Sequence, residues 1–169
     1  GELPLLFVTL GGELVARGPD GTRTIPAEEL YLTMLTTSLA PDELAVAVRF
    51  PVMPAGTLYA FEEFAHRHGD FALVAVAVAL FPGADGRVAE ARIGIGGAAD
   101  VPFRARQAEE AFLSGGAVDE AVDAAAHLAA EQAQPPEDMH GSAEYRRQLV
   151  RVLTRRALYK ALTGVRKGV

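Results

Sequence analysis

FEEFAHRHGDFALVAVAVALFPGADGRVAEARIGIGG, from Phe61 to Gly97, is the stretch whose reading decides the fold. Residues 71 to 81 are apolar almost without interruption, with Gly69-Asp70 before them and Pro82-Gly83 after. A β-branched run of that kind predicts a strand buried on both faces. The second run, Val88 to Ile95, alternates more and ends in glycines, and PGADG between the two reads as a turn. Together they predict a β-hairpin at the centre of an antiparallel sheet.

Toward the N-terminus, the apolar segment Leu5 to Leu10 is a helix or a strand that must pack on something. Nothing precedes it but Gly1 to Pro4, so the chain is expected to begin inside a larger fold. Glu13 to Ala16 and Thr22 to Ile25 read as short strands joined by Gly18-Pro19-Asp20-Gly21. Pro26 suits the first position of a short helix through Leu30, where its missing N–H would have had no partner. A strand is expected from Ala45 to Phe50, and the cluster Pro51, Pro54, Gly56 marks a subdomain boundary.

Toward the C-terminus, three helices follow. Ala105 to Leu113 is closed by Gly115-Gly116, and the alanine-dense Val118 to Gln134 carries Asp119, Glu120 and Asp123 in its first turns, where carboxylates meet the positive end of the helix dipole. The last helix starts near Ser142, a residue suited to accept from an early backbone N–H, and runs to about Leu162. Tyr145, Leu149, Val152, Leu153, Ala157 and Ala161 form its expected buried stripe. Strands followed by helices give an α+β class.

Composition narrows the chemistry. The 169 residues contain no Cys and no Trp, which excludes disulfides and thiolate metal sites and is compatible with a reducing compartment. The longest apolar run is about half of the roughly 20 residues a membrane-spanning helix needs, and a soluble cytoplasmic protein is expected. The net charge of −6 is unevenly spread: from Ser142 onward eight basic residues face the single Glu144, so that tail is +7 and the remainder −13. The tail reads either as a solvated helix face or as a patch for an acidic surface. Nucleic-acid binding is disfavoured, because the acidic remainder would repel phosphate and no aromatic residues interleave with the arginines.

Three motifs bear on function. Gly94-Ile95-Gly96-Gly97-Ala98-Ala99 fits G-x-G-x-x-A, but a dinucleotide fingerprint needs a helix to open at once within a parallel βαβ unit, and Pro102-Phe103 follow in a loop. These glycines are read instead as permitting close backbone packing. His66, His68 and Asp70 could begin a divalent metal site, yet no further ligand is linked to them and hydrogen-bonded histidines are the expectation. Gly69-Asp70-Phe71 reads in two ways: as a polar anchor and flat apolar surface offered to a planar ring, or as a turn entering a core strand.

Five stretches carry a resemblance. GTRTIPAEEL (21–30), LAPDELAVAVRFP (39–51), AFEEFAHRHGDFALVAVAVAL (60–80), ARIGIGGAADVPFRARQAEEAFLSG (91–115) and GSAEYRRQLVRVLTRRAL (141–158) resemble, in order and spacing, the FAD-binding (medium) subunit of molybdenum hydroxylases, the group of carbon monoxide dehydrogenase and xanthine dehydrogenase. The resemblance implies that residues 56–169 form that family's C-terminal domain, a three-stranded antiparallel sheet packed against a helical bundle. Residues 1–55 would be the last part of its α+β FAD-binding domain, without the Gly-rich segments that cradle the FAD pyrophosphate. Weak FAD binding or none is therefore expected of these 169 residues by themselves.

It further implies an oxidoreductase component in which FAD passes electrons from 2Fe–2S clusters on a small subunit to an acceptor, the substrate being hydroxylated at a molybdenum cofactor on a large subunit. By position, Glu2 falls where the family has an acid near the flavin, Ala45 where it has a Leu against the cofactor, and Phe71 where an apolar side chain packs by the isoalloxazine. Arg67 and Asp70 belong to the loop beside the ring. Glu62 departs from the family's Lys and would disfavour an anionic reduced ring by Coulomb repulsion; His66 stands where Arg is frequent. These two departures favour an alternative, a non-redox assembly or docking module that keeps the subunit fold.

Overall fold

The computed structural model describes residues 1–67 and 69–164. The predicted hairpin is its centre: β7 (Val74–Pro82) pairs antiparallel with β8 (Val88–Gly96), in register from Ala75 opposite Gly96 to Leu80 opposite Ala91. The turn closes with Gly83 N–H donating to Arg87 O at 2.7 Å and Asp85 Oδ1 accepting from Arg87 N–H at 3.1 Å. β6 (Leu58–Phe64) pairs on the other side of β7, which gives the three long strands expected. A two-residue strand β9 (Phe103–Arg104) extends the sheet beyond β8 as a fourth.

β7 is buried on both faces, and its alternation shows how. Val74, Val76, Val78 and Leu80 point into the main core together with Ile93 and Ile95 of β8. On that face lie three helices, α3 (Arg106–Ser114), α4 (Val118–Gln132) and α5 (Ala143–Thr163). The opposite face of β7 and β8 carries small residues: Ala75, Ala77, Gly94 and Gly96. Onto it packs α1 (Glu2–Leu10), whose Leu5 is buried with Ala75 and Ala77. A Cβ at Gly94 would overlap Thr9 Oγ1, so the glycines noted in the sequence let helix and sheet approach, and no helix opens after them.

α1 is buried on two sides. Phe7 and Val8 face a second core with Leu14, Ala16, Ile25, Ala27 and Leu30, while Leu5 and Thr9 face the main sheet. A helix apolar all round is one that is enclosed. Arg92 of β8 closes its end, donating from Nη1 to Leu10 O at 2.7 Å while its guanidinium lies 4.7 Å from the Phe81 ring centroid. A cation at a helix C-terminus is favoured by the helix dipole.

The second core belongs to a three-stranded sheet ordered β2-β1-β5, from β1 (Glu13–Gly18), β2 (Gly21–Pro26) and β5 (Leu44–Arg49). The short helix α2 (Ala27–Leu30) follows β2, with Pro26 as its N-cap residue and not its first helical one. A small hairpin, β3 (Tyr31–Thr33) with β4 (Thr36–Thr37), comes next. Arg23 fastens β2 to the approach to β5: its Nε and Nη2 donate to the two Glu43 oxygens at 2.6 and 2.8 Å. That hydrogen-bonded guanidinium, with the Ala40 N–H, holds the Glu43 carboxyl down at about 2, so the pair is charged at any ordinary pH.

The last helix begins as its sequence predicts, with Ser142 Oγ accepting from Tyr145 N–H at 3.1 Å. Its buried face differs from the expected stripe. Tyr145 is exposed, and Arg146, Val150, Leu153, Thr154, Ala157, Leu158 and Ala161 are buried. The face is turned because Arg146 enters the protein to reach backbone carbonyls. Basic residues of the same helix are likewise engaged: Arg155 pairs with Asp123 at 2.9 Å and Lys160 with Glu62 at 2.6 Å. No helix among the described residues is long and apolar enough to cross a membrane.

Candidate functional site

The N-terminal turn of α1 and the turn entering β7 meet at the Gly96-Gly97 end of β8 and enclose a cleft of about 400 Å³. Its floor is made of small or sunken groups, Leu5, Ala72, Ala75, Gly96 and Gly97, and its rim carries Glu2, Leu3, Asp70 and Phe71. Phe71 is 90% exposed and Leu3 76% exposed, so two large apolar side chains stand bare at one opening. The Glu2 and Asp70 carboxylates add hydrogen-bond acceptors at the same rim. A flat apolar body with polar edges suits such a surface: small residues permit close stacking and the aromatic offers a face.

The sequence explains the local geometry. Gly69 sits at φ 89°, a conformation open to glycine, and turns the chain so that Asp70 N–H donates to Arg67 O at 3.2 Å. Leu73 N–H then donates to Phe64 O at 2.8 Å, which returns the chain to the sheet and leaves Phe71 at the apex. The Gly69-Asp70-Phe71 segment is a turn into a core strand, and it holds an aromatic outward.

Of the six residues singled out in the sequence, Glu2, Asp70 and Phe71 line this cleft. Arg67 is exposed in the same turn but not among the lining residues. Ala45 lies on β5, every residue of which is exposed, away from the cleft. Glu62, on β6, is taken up by α5: its Oε1 lies 2.6 Å from Lys160 Nζ, which also donates to Phe61 O at 3.2 Å. Its negative charge thus has a cation in contact, supplied from 98 residues further along the chain.

His66 serves as a hydrogen-bonded residue, its Nε2 donating to His140 O at 3.2 Å. His68, the other histidine of the proposed metal trio, lies outside the described residues. Among those described, no group of three His, Asp or Glu side chains could hold a metal ion. Arg146 was not singled out in the sequence. It is 6% exposed behind the Phe71 turn, where a long basic helix reads as solvent-facing and gives no signal of burial.

Comparisons with known proteins agree with this architecture. The CO dehydrogenase flavoprotein C-terminal domain model matches residues 59–161, and the model of the FAD binding domain in molybdopterin dehydrogenase matches residues 1–53. The alpha subunit of the 6-hydroxypseudooxynicotine dehydrogenase complex of Paenarthrobacter nicotinovorans is 35% identical over 165 residues, covering 98% of this chain and 56% of that protein. The carbon monoxide dehydrogenase medium chain of Afipia carboxidovorans is 37% identical over 161 residues, covering 95% and 55%. Among solved structures, carbon monoxide dehydrogenase from Hydrogenophaga pseudoflava superposes with a TM-score of 0.88 at 34% identity, over 94% of this chain and 55% of that one. Quinoline 2-oxidoreductase from Pseudomonas putida 86 gives 0.86 at 34% identity, over 97% and 56%. The chain spans a little over half the length of these relatives. A single hairpin-centred sheet backed by three helices, met by a helix from a second small core, is thus a shared plan, and the chain belongs to the CO dehydrogenase flavoprotein C-terminal domain family, joined here to a segment of the FAD binding domain in molybdopterin dehydrogenase.

Proposed function

We propose that this chain forms the flavin-facing part of a molybdenum hydroxylase flavoprotein, and that the cleft between α1 and the β7 turn borders the isoalloxazine of FAD. The observation that carries the reading is the bare Phe71 at the rim of a cleft floored by Ala72, Ala75, Gly96 and Gly97. In this reading residues 1–55 belong to the FAD-binding domain and residues 56–169 to the C-terminal domain. FAD, when bound, relays electrons between iron–sulfur clusters and an acceptor. Phe71 offers the ring a face, Glu2 and Asp70 offer acceptors to a polar ring edge, and Arg67 places a cation nearby. Ala45, away from the cleft, and Glu62, paired with Lys160, are further proposed FAD contacts outside it.

In this reading the partners are a small iron–sulfur subunit and a large subunit carrying the molybdenum cofactor, assembled as a cytoplasmic hetero-oligomer. Lys160 at 2.6 Å from Glu62 supplies the positive charge that Glu62 itself lacks. Of the two departures that favour a non-redox docking module, Glu62 is therefore compensated within the fold. In the intact flavoprotein, Phe71→Ala is expected to weaken FAD binding about tenfold, the worth of one aromatic stacking contact. Flavin fluorescence titration measures it, and unchanged affinity in the folded variant would remove Phe71 from the site.

A further inference from the structure

Behind the exposed turn lies a buried guanidinium that touches both strands at the cleft floor. Arg146 Nη1 donates to Leu73 O at 2.9 Å, where the turn enters β7, and to Gly97 O at 3.2 Å, where the chain leaves β8. Its Nη2 donates to both Asp138 oxygens, at 2.9 and 2.8 Å. Asp138 is fixed in turn by the His140 N–H at 2.8 Å, and that N–H together with the Arg146 guanidinium holds its carboxyl below the usual carboxylate range. The Arg146 Nε is buried without a partner among the described residues, so the side chain is oriented by the carbonyls and the carboxylate it reaches and not by saturating its own donors.

The same segment fastens the other end of the turn. His140 O accepts from His66 Nε2 at 3.2 Å, so the chain between His66 and Leu73 is tied at both ends to residues 138–146. Between these ties Gly69, Asp70 and Phe71 are exposed. A second hollow lies on this side of the turn, bordered by His66, Asp70, Phe71, Leu73, His140 and Arg146. The turn is thus a bridge with open space on two sides, held by its abutments.

We propose that Arg146, oriented by Asp138, is a positioning residue that sets where Asp70 and Phe71 stand at the cleft rim, and so sets FAD affinity and potential without touching the flavin. This role rests on the flavin reading of the cleft. Its physical basis is that a buried charge-assisted donor to two backbone carbonyls fixes them more firmly than neutral hydrogen bonds do.

The test uses the intact flavoprotein with Arg146→Lys, Arg146→Met and Asp138→Asn. Arg146→Met leaves the Leu73 and Gly97 carbonyls and Asp138 without the guanidinium and is the variant most exposed to misfolding; Asp138→Asn keeps Arg146 and removes only its ionic orientation. Hydrogen exchange is read at the Asp70 and Leu73 amides against the amides of Val76 to Leu80. The FAD dissociation constant and the flavin midpoint potential are read on the same samples. Exchange at Asp70 and Leu73 is expected to rise about tenfold in Asp138→Asn and Arg146→Lys, with the β7 interior unchanged and FAD binding weakened about tenfold, as for the loss of one charge-assisted bond.

Unchanged exchange at the turn overturns the proposal, as does a loosened turn with affinity and potential both unmoved. Wild-type flavoprotein that binds no FAD refutes the flavin reading and this role with it; the exchange measurement then still separates a clamp without that ligand from no clamp at all.

Discussion

Replacing Gly97 by alanine is expected to destabilise the fold by about 3 kcal/mol, combining a left-handed backbone penalty with overpacking against a strand. Gly97 sits at φ 76°, and an added Cβ would fall on the carbonyl of Leu73. That carbonyl cannot yield cheaply, because it immediately precedes the most buried strand and accepts from Arg146 at 2.9 Å. Moving it also withdraws Gly97 O from the same guanidinium. Gly21 provides the comparison: it too has a positive φ, 118°, but no atom of the described residues lies within 4 Å of its would-be Cβ. Its alanine variant should lose only the backbone part, about 1 kcal/mol. Urea unfolding measures both, and a Gly97→Ala loss no greater than that of Gly21→Ala would show that the approach of β7 and β8 at the cleft floor is not tight.

Glu109→Ala is expected to cost about 3–5 kcal/mol, the range for breaking a buried ion pair from one side. Glu109 is 5% exposed on α3 and accepts from three donors: Ile93 N–H at 2.9 Å, Arg104 Nε at 2.8 Å and Arg104 Nη2 at 2.7 Å. It therefore ties α3 to the edge of β8 and to the short β9. Without it, the Arg104 side chain, 8% exposed, loses its principal partner and the Ile93 amide loses its acceptor. Glu28, 3.8 Å from Arg104 and 2.6 Å from Arg106, remains nearby to bear the charge. Glu109→Gln, which keeps one acceptor, should lose less than the alanine variant. A fall below about 1 kcal/mol in the alanine variant, read from the urea midpoint with an unchanged slope, would contradict a buried role.

What the sequence made legible was what short-range physics determines. The run from Phe71 to Phe81, the PGADG turn and the glycines after Ile95 announced the hairpin. Ser142 announced the start of α5, and its hydroxyl caps as expected. The failures lie where distant partners decide. Leu5 to Leu10 has no clear period because α1 is enclosed by two cores at once, so strand and helix could not be separated. In α5 the expected stripe includes Tyr145 and leaves out Arg146; the reverse holds because Leu73 O, Gly97 O and Asp138 accept from a guanidinium.

The cleft was half legible for the same reason. Gly69-Asp70-Phe71 signals a turn with an aromatic at its apex, and Glu2 joins it only because α1 packs on the small-residue face of β7 and β8. The charge of Glu62 looked like a defect when read alone, since its partner Lys160 lies on the last helix. Of the adjacent acids Glu109 and Glu110, nothing local tells which is buried; Arg104, five residues before Glu109, becomes informative only once β9 is known to lie beside β8.

Phe71 is proposed to stand against the flavin. The chain contains no tryptophan, so one can be placed at will, and an indole in contact with an isoalloxazine quenches flavin emission by electron transfer. Flavin emission should therefore be measured in FAD-loaded intact flavoprotein carrying Phe71→Trp, with Leu113→Trp as the comparison, since Leu113 lies by Arg87 and Val88 at the opposite end of β8. Strong quenching in the first and emission equal to wild type in the second is the predicted result; equal emission in all three, with FAD bound, would place the flavin elsewhere.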